Sequence, residues 1–178
     1  VGMSDPLDLF ALDELERVLK TRVQPAVVRE SELLSSLDGL YRRTSEIASL
    51  AGELEGSLQE SDFDLSKLGA ESTSDAPVVR LLQTLFEDAV QMKASDIHIE
   101  PDEGVVRIRQ RIDGVLNEQV MNEHRVASAL VMRLKIMSGL DISEKRLPQD
   151  GRFNIRVRNR SIDVRVSTMP VQHGESVV

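Results

Sequence analysis

The spacing of apolar residues in the first fifty positions predicts two helices separated by a short strand. The first helix is expected over about residues 7–20, with Asp5 or Asp8 as its N-terminal cap. A short strand follows over residues 22–28, and a second helix begins at residue 31 and continues to about residue 50. The apolar positions that carry the two helices are Leu9, Phe10, Leu12, Leu15, Val18, Leu19, Leu33, Leu34, Leu37, Leu40 and Tyr41.

Periodicity is lost between residues 52 and 75, where Glu, Ser, Asp and Gly dominate, and this composition is typical of a flexible linker. It returns with a helix that Ser74 or Asp75 is expected to cap and that carries Pro77 in its first turn. The elements predicted from there onward are this helix to about residue 92, strands over 96–100, 105–112 and 115–120, a helix over 123–137, and a hairpin of strands over 153–157 and 162–166.

Turn-forming residues divide the second half of the chain into hairpins. Asp113-Gly114 is a strong hairpin signal, and Arg158 to Arg160 connects the last two predicted strands. The run from Pro148 to Gly151 is compatible with a β-turn inside a polar loop over 141–151. The sequence therefore predicts a mixed α/β protein (α+β) with three parts: a small partial α/β domain over 1–50, a flexible acidic linker over 51–74, and a sheet-and-helix domain over 75–178.

Composition excludes several classes of protein. Apolar residues make up 40% of the chain, but aromatic residues only 3%, so the cores must be aliphatic. The chain has no Cys, which excludes disulfides and thiolate metal sites within it. It has no apolar run of about 20 residues, the length that spans a bilayer. We therefore expect no direct membrane insertion, and any membrane association would depend on partners.

The net charge of −8 conceals two unlike halves. Residues 1–92 hold 8 Lys and Arg against 18 Asp and Glu (net −10), whereas residues 93–178 hold 14 against 12 (net +2). An acidic half binds nucleic acid poorly, and arginines clustered in a nearly neutral half indicate anion recognition at particular points. Nucleic acid is therefore not expected as the partner.

A row of arginines marks the predicted strand over 105–112. Strand periodicity places Arg107, Arg109 and Arg111 on one face, and their planar guanidinium groups suit phosphate oxygens. The alternative is a solvated face with Glu100, Asp102, Glu103 or Glu118 as cross-strand partners. The residues alone favour this alternative, because most charged strand faces are simply wet.

Two further groups of polar residues are candidates for a site. The loop Glu144 to Arg152 carries Lys145, Arg146 and Arg152, which could present a cationic rim to a neighbouring domain or nucleotide. His98 shares a strand face with Asp96 and Glu100, but a hydrogen-bonded structural histidine is favoured over a metal site. The sequence contains no GxxxxGK(S/T), GxGxxG or GxSxG motif, so we expect a regulatory or accessory part rather than a complete catalyst.

Taken together, five runs in order resemble the second N-terminal domain of the secretion ATPases, the family that drives type II secretion and type IV pilus extension. The resemblance covers about residues 75–178, and residues 5–27 are similar to the end of the family's first N-terminal domain. The runs are Ala94–Pro101 (ASDIHIEP), Arg109–Gly114 (RQRIDG), Glu144–Arg152 (EKRLPQDGR), Asp163–Pro170 (DVRVSTMP) and His173–Glu175 (HGE).

The resemblance implies a hexameric ATPase as the parent protein, with this chain ending just before a RecA-like motor domain that holds the Walker A loop, ATP and Mg²⁺. It implies a PAS-like sheet whose Arg109 and Arg111, with Arg125 as a weaker third, approach the nucleotide on a motor domain. Lys145, Arg146 and Arg152 would contribute to coupling between domains. No catalytic residue, metal site or cofactor is expected within this chain, which should be inactive alone.

The same resemblance implies where the protein works. The parent would be cytoplasmic and peripheral to the inner membrane, where its first domain docks on a membrane platform or a cytoplasmic docking protein. Among relatives, the mannose-sensitive haemagglutinin (MSHA) pilus branch is favoured, with ordinary type II secretion close behind. The paired Arg-Leu-Gly repeats that bind cyclic di-GMP in some members do not occur in this sequence. Two alternatives stay open: a free-standing PAS-like module that binds nucleotides or cyclic dinucleotides, and a purely structural adaptor.

Overall fold

The computed structural model describes residues 1–60 and 76–178, apart from the side chains of Asp38, Tyr41 and Glu60. Backbone contacts divide the chain into two compact units, Val1–Arg42 and Arg43–Val178. The prediction of a mixed α/β protein is confirmed, because both units combine helices with strands.

The smaller unit contains two short parallel strands and two helices. Its elements are β1 (Gly2–Met3), α1 (Leu9–Leu19), β2 (Ala26–Val27) and α2 (Glu30–Tyr41). Asp8 caps α1, since its Oδ1 accepts a hydrogen bond from the backbone N–H of Ala11 at 2.9 Å. Most of the apolar residues that define these two helices in the sequence are exposed to solvent; Phe10, for example, is 84% exposed and Leu40 79% exposed. The strand expected over residues 22–28 is reduced to the two residues of β2.

Within its described residues, 43–60 and 76–178, the larger unit places three helices against one six-stranded sheet. Its elements are α3 (Thr44–Glu60), α4 (Pro77–Gln91), β3 (Asp96–Asp102), β4 (Val105–Ile112), β5 (Val115–Met121), α5 (His124–Met137), β6 (Gln149–Val157), β7 (Arg160–Val171) and β8 (Gly174–Val177). The order of strands is β5-β4-β3-β8-β7-β6, and every pairing is antiparallel. Two three-stranded meanders thus join at β3 and β8, where Ile99 pairs with Val177.

Local turn chemistry explains both predicted hairpins. Asp113 and Gly114 both adopt positive φ angles (49° and 84°), as do Arg158 and Asn159 (45° and 66°). Two consecutive residues at positive φ are the geometry that matches the twist of paired strands in a two-residue hairpin. The strand boundaries predicted for 105–112 agree with β4.

An aliphatic core lies between the helices and one face of the sheet. It takes Leu54 from α3, Leu81 from α4, Leu130 from α5 and Ile108 from β4, all at most 2% exposed. The alternation of β4 therefore turns Val106, Ile108 and Gln110 toward the helices and the intervening arginines away from them. The opposite face of the sheet carries the candidate site.

The prediction of a single helix over residues 31–50 followed by a linker from residue 51 is wrong for the positions that the structure describes. The helix breaks at residues 42 and 43, and α3 continues to Glu60. Leu54 and Leu58 continue the spacing of Ile47 and Leu50 and are buried with them. Burial of this stripe outweighs the polar composition between its members. The rest of the proposed linker, residues 61–74, lies outside the described residues, as do Ser74 and Asp75, and Ala76 is the N-cap of α4.

The β-turn expected from Pro148 to Gly151 does not form, because β6 begins at Gln149. Gly151 pairs with Val166 inside the sheet. A Cβ atom on Gly151 would lie 2.8 Å from Ser138 Cβ and 2.9 Å from a methyl carbon of Leu140. Glycine is thus required by the close approach of the segment that follows α5, not by a turn.

Candidate functional site

The three arginines of β4 project from the sheet face that the helices leave open, and each is bound by carboxylates. Arg107 Nε lies 3.0 Å from Asp102 Oδ2, and its Nη1 lies 3.2 Å from Glu118 Oε1. Arg109 is paired with Glu100 through a short contact from its Nη2. This agrees with the cross-strand partners that the sequence suggested. The side chains remain between 32% and 39% exposed, so their outer edges face solvent.

Arg111 lies at the end of the row and is held by Asp96, its direct partner in the register of β3 and β4. Its Nε is 3.2 and 3.1 Å from the two Asp96 oxygens. His98 Nε2 lies 2.6 Å from Asp96 Oδ1 and its Nδ1 3.6 Å from Glu100 Oε1. The expected cluster of His98 with two carboxylates therefore forms, and it serves to fix the acids that hold the arginines.

Hydrogen bonds lower the pKa of two carboxyls in this row, those of Asp96 and Asp102. The Ser95 hydroxyl is the main cause of the lowered pKa of Asp96, with His98 and Arg111 contributing. For Asp102 the main cause of the lowered pKa is the Glu103 N–H, followed by Arg107. Both acids therefore stay ionised at neutral pH and keep their arginines oriented.

One hydrogen-bond donor of Arg109, its Nε–H, is unpaired among the described residues, and the Nε atom is buried. Glu100 is the main cause of the raised pKa of Arg109, so the guanidinium stays charged. A buried N–H without a partner costs free energy unless a ligand or water satisfies it. This N–H faces away from solvent, so an anion could reach only the exposed outer edge of the guanidinium.

Arg125 does not join the other two arginines predicted to approach a nucleotide. It stands in the first turn of α5, and its Nη1 donates to Leu58 O over 3.4 Å. Its backbone N–H donates to Glu55 Oε2 over 3.2 Å. Arg125 thus binds the end of α3 on the helix-covered side of the sheet, opposite to Arg109 and Arg111.

The three cations predicted to couple domains are all exposed, in two places. Lys145 and Arg146 lie in the loop between α5 and β6, where the Arg146 side chain is 91% exposed and 3.7 Å from Glu144. Arg152 lies on β6 directly across from Arg165 on β7. These side chains are free to meet an acidic surface.

Sequence reasoning missed two buried polar groups that organise this unit. Lys135 and Glu175 form an ion pair of 2.5 Å at 1% and 8% exposure. Asp88 is fully buried in α4 and accepts hydrogen bonds from Arg43 N at 2.8 Å and Gln110 Nε2 at 3.0 Å. The sequence contains a signal for the burial of Asp88, because this residue lies between Leu85 and Ala89 in the apolar pattern of its helix.

Metal binding and membrane insertion both require features that can be sought among the described residues. Within residues 1–60 and 76–178 no group of three His, Asp or Glu side chains could hold a metal ion. None of the helices in the described part of the chain is long and apolar enough to cross a membrane.

Comparison with known proteins places these features in a family. The sequence model described as type II/IV secretion system protein matches residues 71–178, and the model described as MshEN domain matches residues 1–47. The type II secretion system ATPase E of Vibrio cholerae is 42% identical over 97% of this chain and 36% of its own length. The type IV pilus assembly ATPase PilB of Myxococcus xanthus is 36% identical over 100% of this chain and 32% of its own.

A type II secretion system protein E of Klebsiella pneumoniae is 50% identical over 61% of this chain and 22% of its own. The chain thus spans about a third of the length of the relatives that it matches throughout. The match to the family model covers the whole sheet and the runs that carry its arginines. This chain belongs to the type II/IV secretion system protein family.

Proposed function

We propose that this chain is the N-terminal regulatory and coupling part of an ATPase that powers type II secretion or extension of a type IV pilus, with the MSHA branch favoured. Two relatives are named ATPases, and the similarity to them runs through nearly the whole chain. The parent would bind ATP and Mg²⁺ in a RecA-like domain and act as a cytoplasmic hexamer. This chain, residues 1–178, would have no ATPase activity by itself.

In this proposal Arg109 and Arg111 approach the phosphates of a nucleotide that a motor domain holds. The exposed outer edges of these two guanidinium groups are the observation that carries it, since the side chains are 32% and 38% exposed and are held in place by Glu100 and Asp96. Guanidinium groups that are already oriented can stabilise phosphate charge without reorganising during transfer. Arg125, bound to α3, would act at a distance by holding α5 in place rather than by touching the nucleotide.

The proposed partners follow from the same arrangement. Lys145, Arg146 and Arg152 would contact acidic surfaces of the chain's own motor domain and of neighbouring subunits, so that nucleotide state is coupled to domain rotation. The smaller unit would be the C-terminal part of a docking domain. Its exposed Phe10 and Leu40 offer apolar area for packing with an inner-membrane platform or a cytoplasmic docking protein.

The test is the ATPase rate of the parent protein carrying Arg109→Ala or Arg111→Ala. Loss of one preorganised donor is expected to lower kcat by about a hundredfold with little change in KM. Arg107→Ala is the matched control, since Arg107 lies on the same strand face but is bound by two carboxylates. Equal rates for all three variants would reduce the arginine row to a structural feature. Measurable ATP turnover by residues 1–178 alone would contradict the proposed division of labour.

A second candidate, a small-ligand module, is favoured by one observation. A cleft of about 490 Å³ lies between α4 and strands β3 and β7, lined largely by apolar residues such as Phe86, Ile97 and Val164. Among its described lining residues Arg165 is the single cation, so one guanidinium is available in the cleft to bind a phosphate group. Titration calorimetry with ATP and cyclic di-GMP distinguishes the candidates, because tight binding of either to this chain would favour the module.

A further inference from the structure

A buried ion pair connects the last strand of the sheet to the cationic loop. Lys135 Nζ, on α5, lies 2.5 Å from Glu175 Oε1, on β8. The same Nζ donates a hydrogen bond to the backbone carbonyl of Glu144 over 2.6 Å. One ammonium group therefore contacts β8 through a side chain and the loop through its backbone.

The base of this loop, residues 141–148, is fixed from a second side by Gln149. Its Nε2 donates to Asp141 O over 2.9 Å and to Glu144 O over 3.1 Å, and its Oε1 accepts from Asp141 N over 2.9 Å. Glu144 O thus receives two donors, one from α5 and one from β6. We call residues 141–148 the coupling loop.

The tip of the coupling loop is open while its base is fixed. Arg146 is 91% exposed in its side chain, and Leu147 is 60% exposed. Lys145 is also exposed. An exposed cationic tip on a fixed backbone loses little conformational freedom when it binds, which suits an acidic protein surface.

We propose that Lys135 and Glu175 are positioning residues that hold the coupling loop and transmit displacements of β8 to it. Removing either partner would leave the other charge buried without compensation, so strand and loop are held to one arrangement. The identity of the surface that the tip contacts depends on the proposed function. The connection between β8 and the loop rests on the buried contacts alone.

The first experiment is limited trypsin digestion of the chain under native conditions, followed by mass spectrometry. Glu175→Gln is expected to accelerate cleavage after Lys145 and Arg146 at least about tenfold, because a charge-assisted anchor is weakened. Cleavage after Arg158, in the turn between β6 and β7, should change less than about twofold. An unchanged rate in the coupling loop, or an equal rise at both places, would overturn the proposal.

Two controls keep the result decisive. Asp163→Asn removes an exposed carboxylate on β7 and should leave the coupling loop unchanged. The double variant Lys135→Met with Glu175→Leu fills the same buried volume with apolar side chains but removes the Lys135 donor to Glu144 O and leaves only that of Gln149, so it should also accelerate cleavage while retaining the fold. Wild-type protection in that folded double variant would refute the positioning role. ATPase assays of the parent are separate: altered cleavage with unchanged turnover would leave the positioning role standing and contradict the coupling function.

Discussion

Replacement of Leu54 by Ala tests whether α3 belongs to the core of the larger unit. Leu54 is 1% exposed and lies in the same buried cluster as Leu81 and Leu130. Truncation of such a leucine removes three carbons and leaves a cavity that neighbours fill only in part. The expected cost is about 3 kcal/mol within a usual range of about 2–5 kcal/mol. With a urea m-value of about 2 kcal/mol/M, the midpoint should fall by about 1.5 M.

The assay is urea unfolding of the full 178-residue chain, followed by far-UV circular dichroism because the chain has no Trp. Leu40→Ala is the matched control, since Leu40 is a helical leucine that is 79% exposed. Its effect should stay within about 0.5 kcal/mol. If Leu54→Ala behaves like this control, residues 44–60 do not contribute to the core, and the reasoning about α3 fails.

Three further predictions concern single positions, each read from the same unfolding experiment. Gly151→Ala should cost more than about 1 kcal/mol because its Cβ would lie 2.8 Å from a side-chain carbon, whereas Gly56→Ala, inside α3 with open space around it, should stabilise by about 0.5–1 kcal/mol; the same sign for both would contradict this. Asp88→Ala should cost at least about 2 kcal/mol because the buried Gln110 amide and the partly buried Arg43 N–H lose their acceptor, and a cost below about 0.5 kcal/mol would count against its role. The pKa of Asp96 is lowered mainly because the Ser95 hydroxyl donates a hydrogen bond to its carboxylate. The stabilisation that this carboxylate contributes to the fold is therefore complete above its unfolded pKa of about 3.9, and it is lost as the pH falls through the lower folded value. Asp96→Asn should therefore be less stable than wild type at pH 7, and this gap should close on acidification; a gap independent of pH would refute the linkage.

Strand alternation and hairpin chemistry were sufficient to predict the arginine row. Period-two patterning identified β4 and its faces, and Asp113-Gly114 set the register with β5. Glu100, Asp102 and Glu118 could be named as partners because they lie in neighbouring strands. Asp96 is a further partner that these patterns did not single out; it pairs with Arg111 in the register that the Glu103-Gly104 turn sets between β3 and β4.

Features that depend on packing between distant segments were not predictable from local patterns. The residues around Gly151 are typical of a turn. Glycine is needed there, however, because Ser138 and Leu140 lie too close to its α-carbon to leave room for a side chain. The continuation of α3 through Leu54 and Leu58 depends on a surface supplied by α4 and α5. Lys135 has a place in the core only because β8, forty residues later, supplies Glu175.

Charge balance on the open sheet face bears on how its arginines could act. Three arginines there contact four carboxylates, those of Asp96, Glu100, Asp102 and Glu118. The row therefore has no large positive field to attract an anion from a distance, and long-range steering cannot be its role. What it offers is short-range geometry: guanidinium groups held by carboxylates, with their outer edges exposed to solvent. Under the proposed function, another domain would therefore have to deliver and hold the phosphate before these groups contact it, and the row would complete a nucleotide site rather than form one alone.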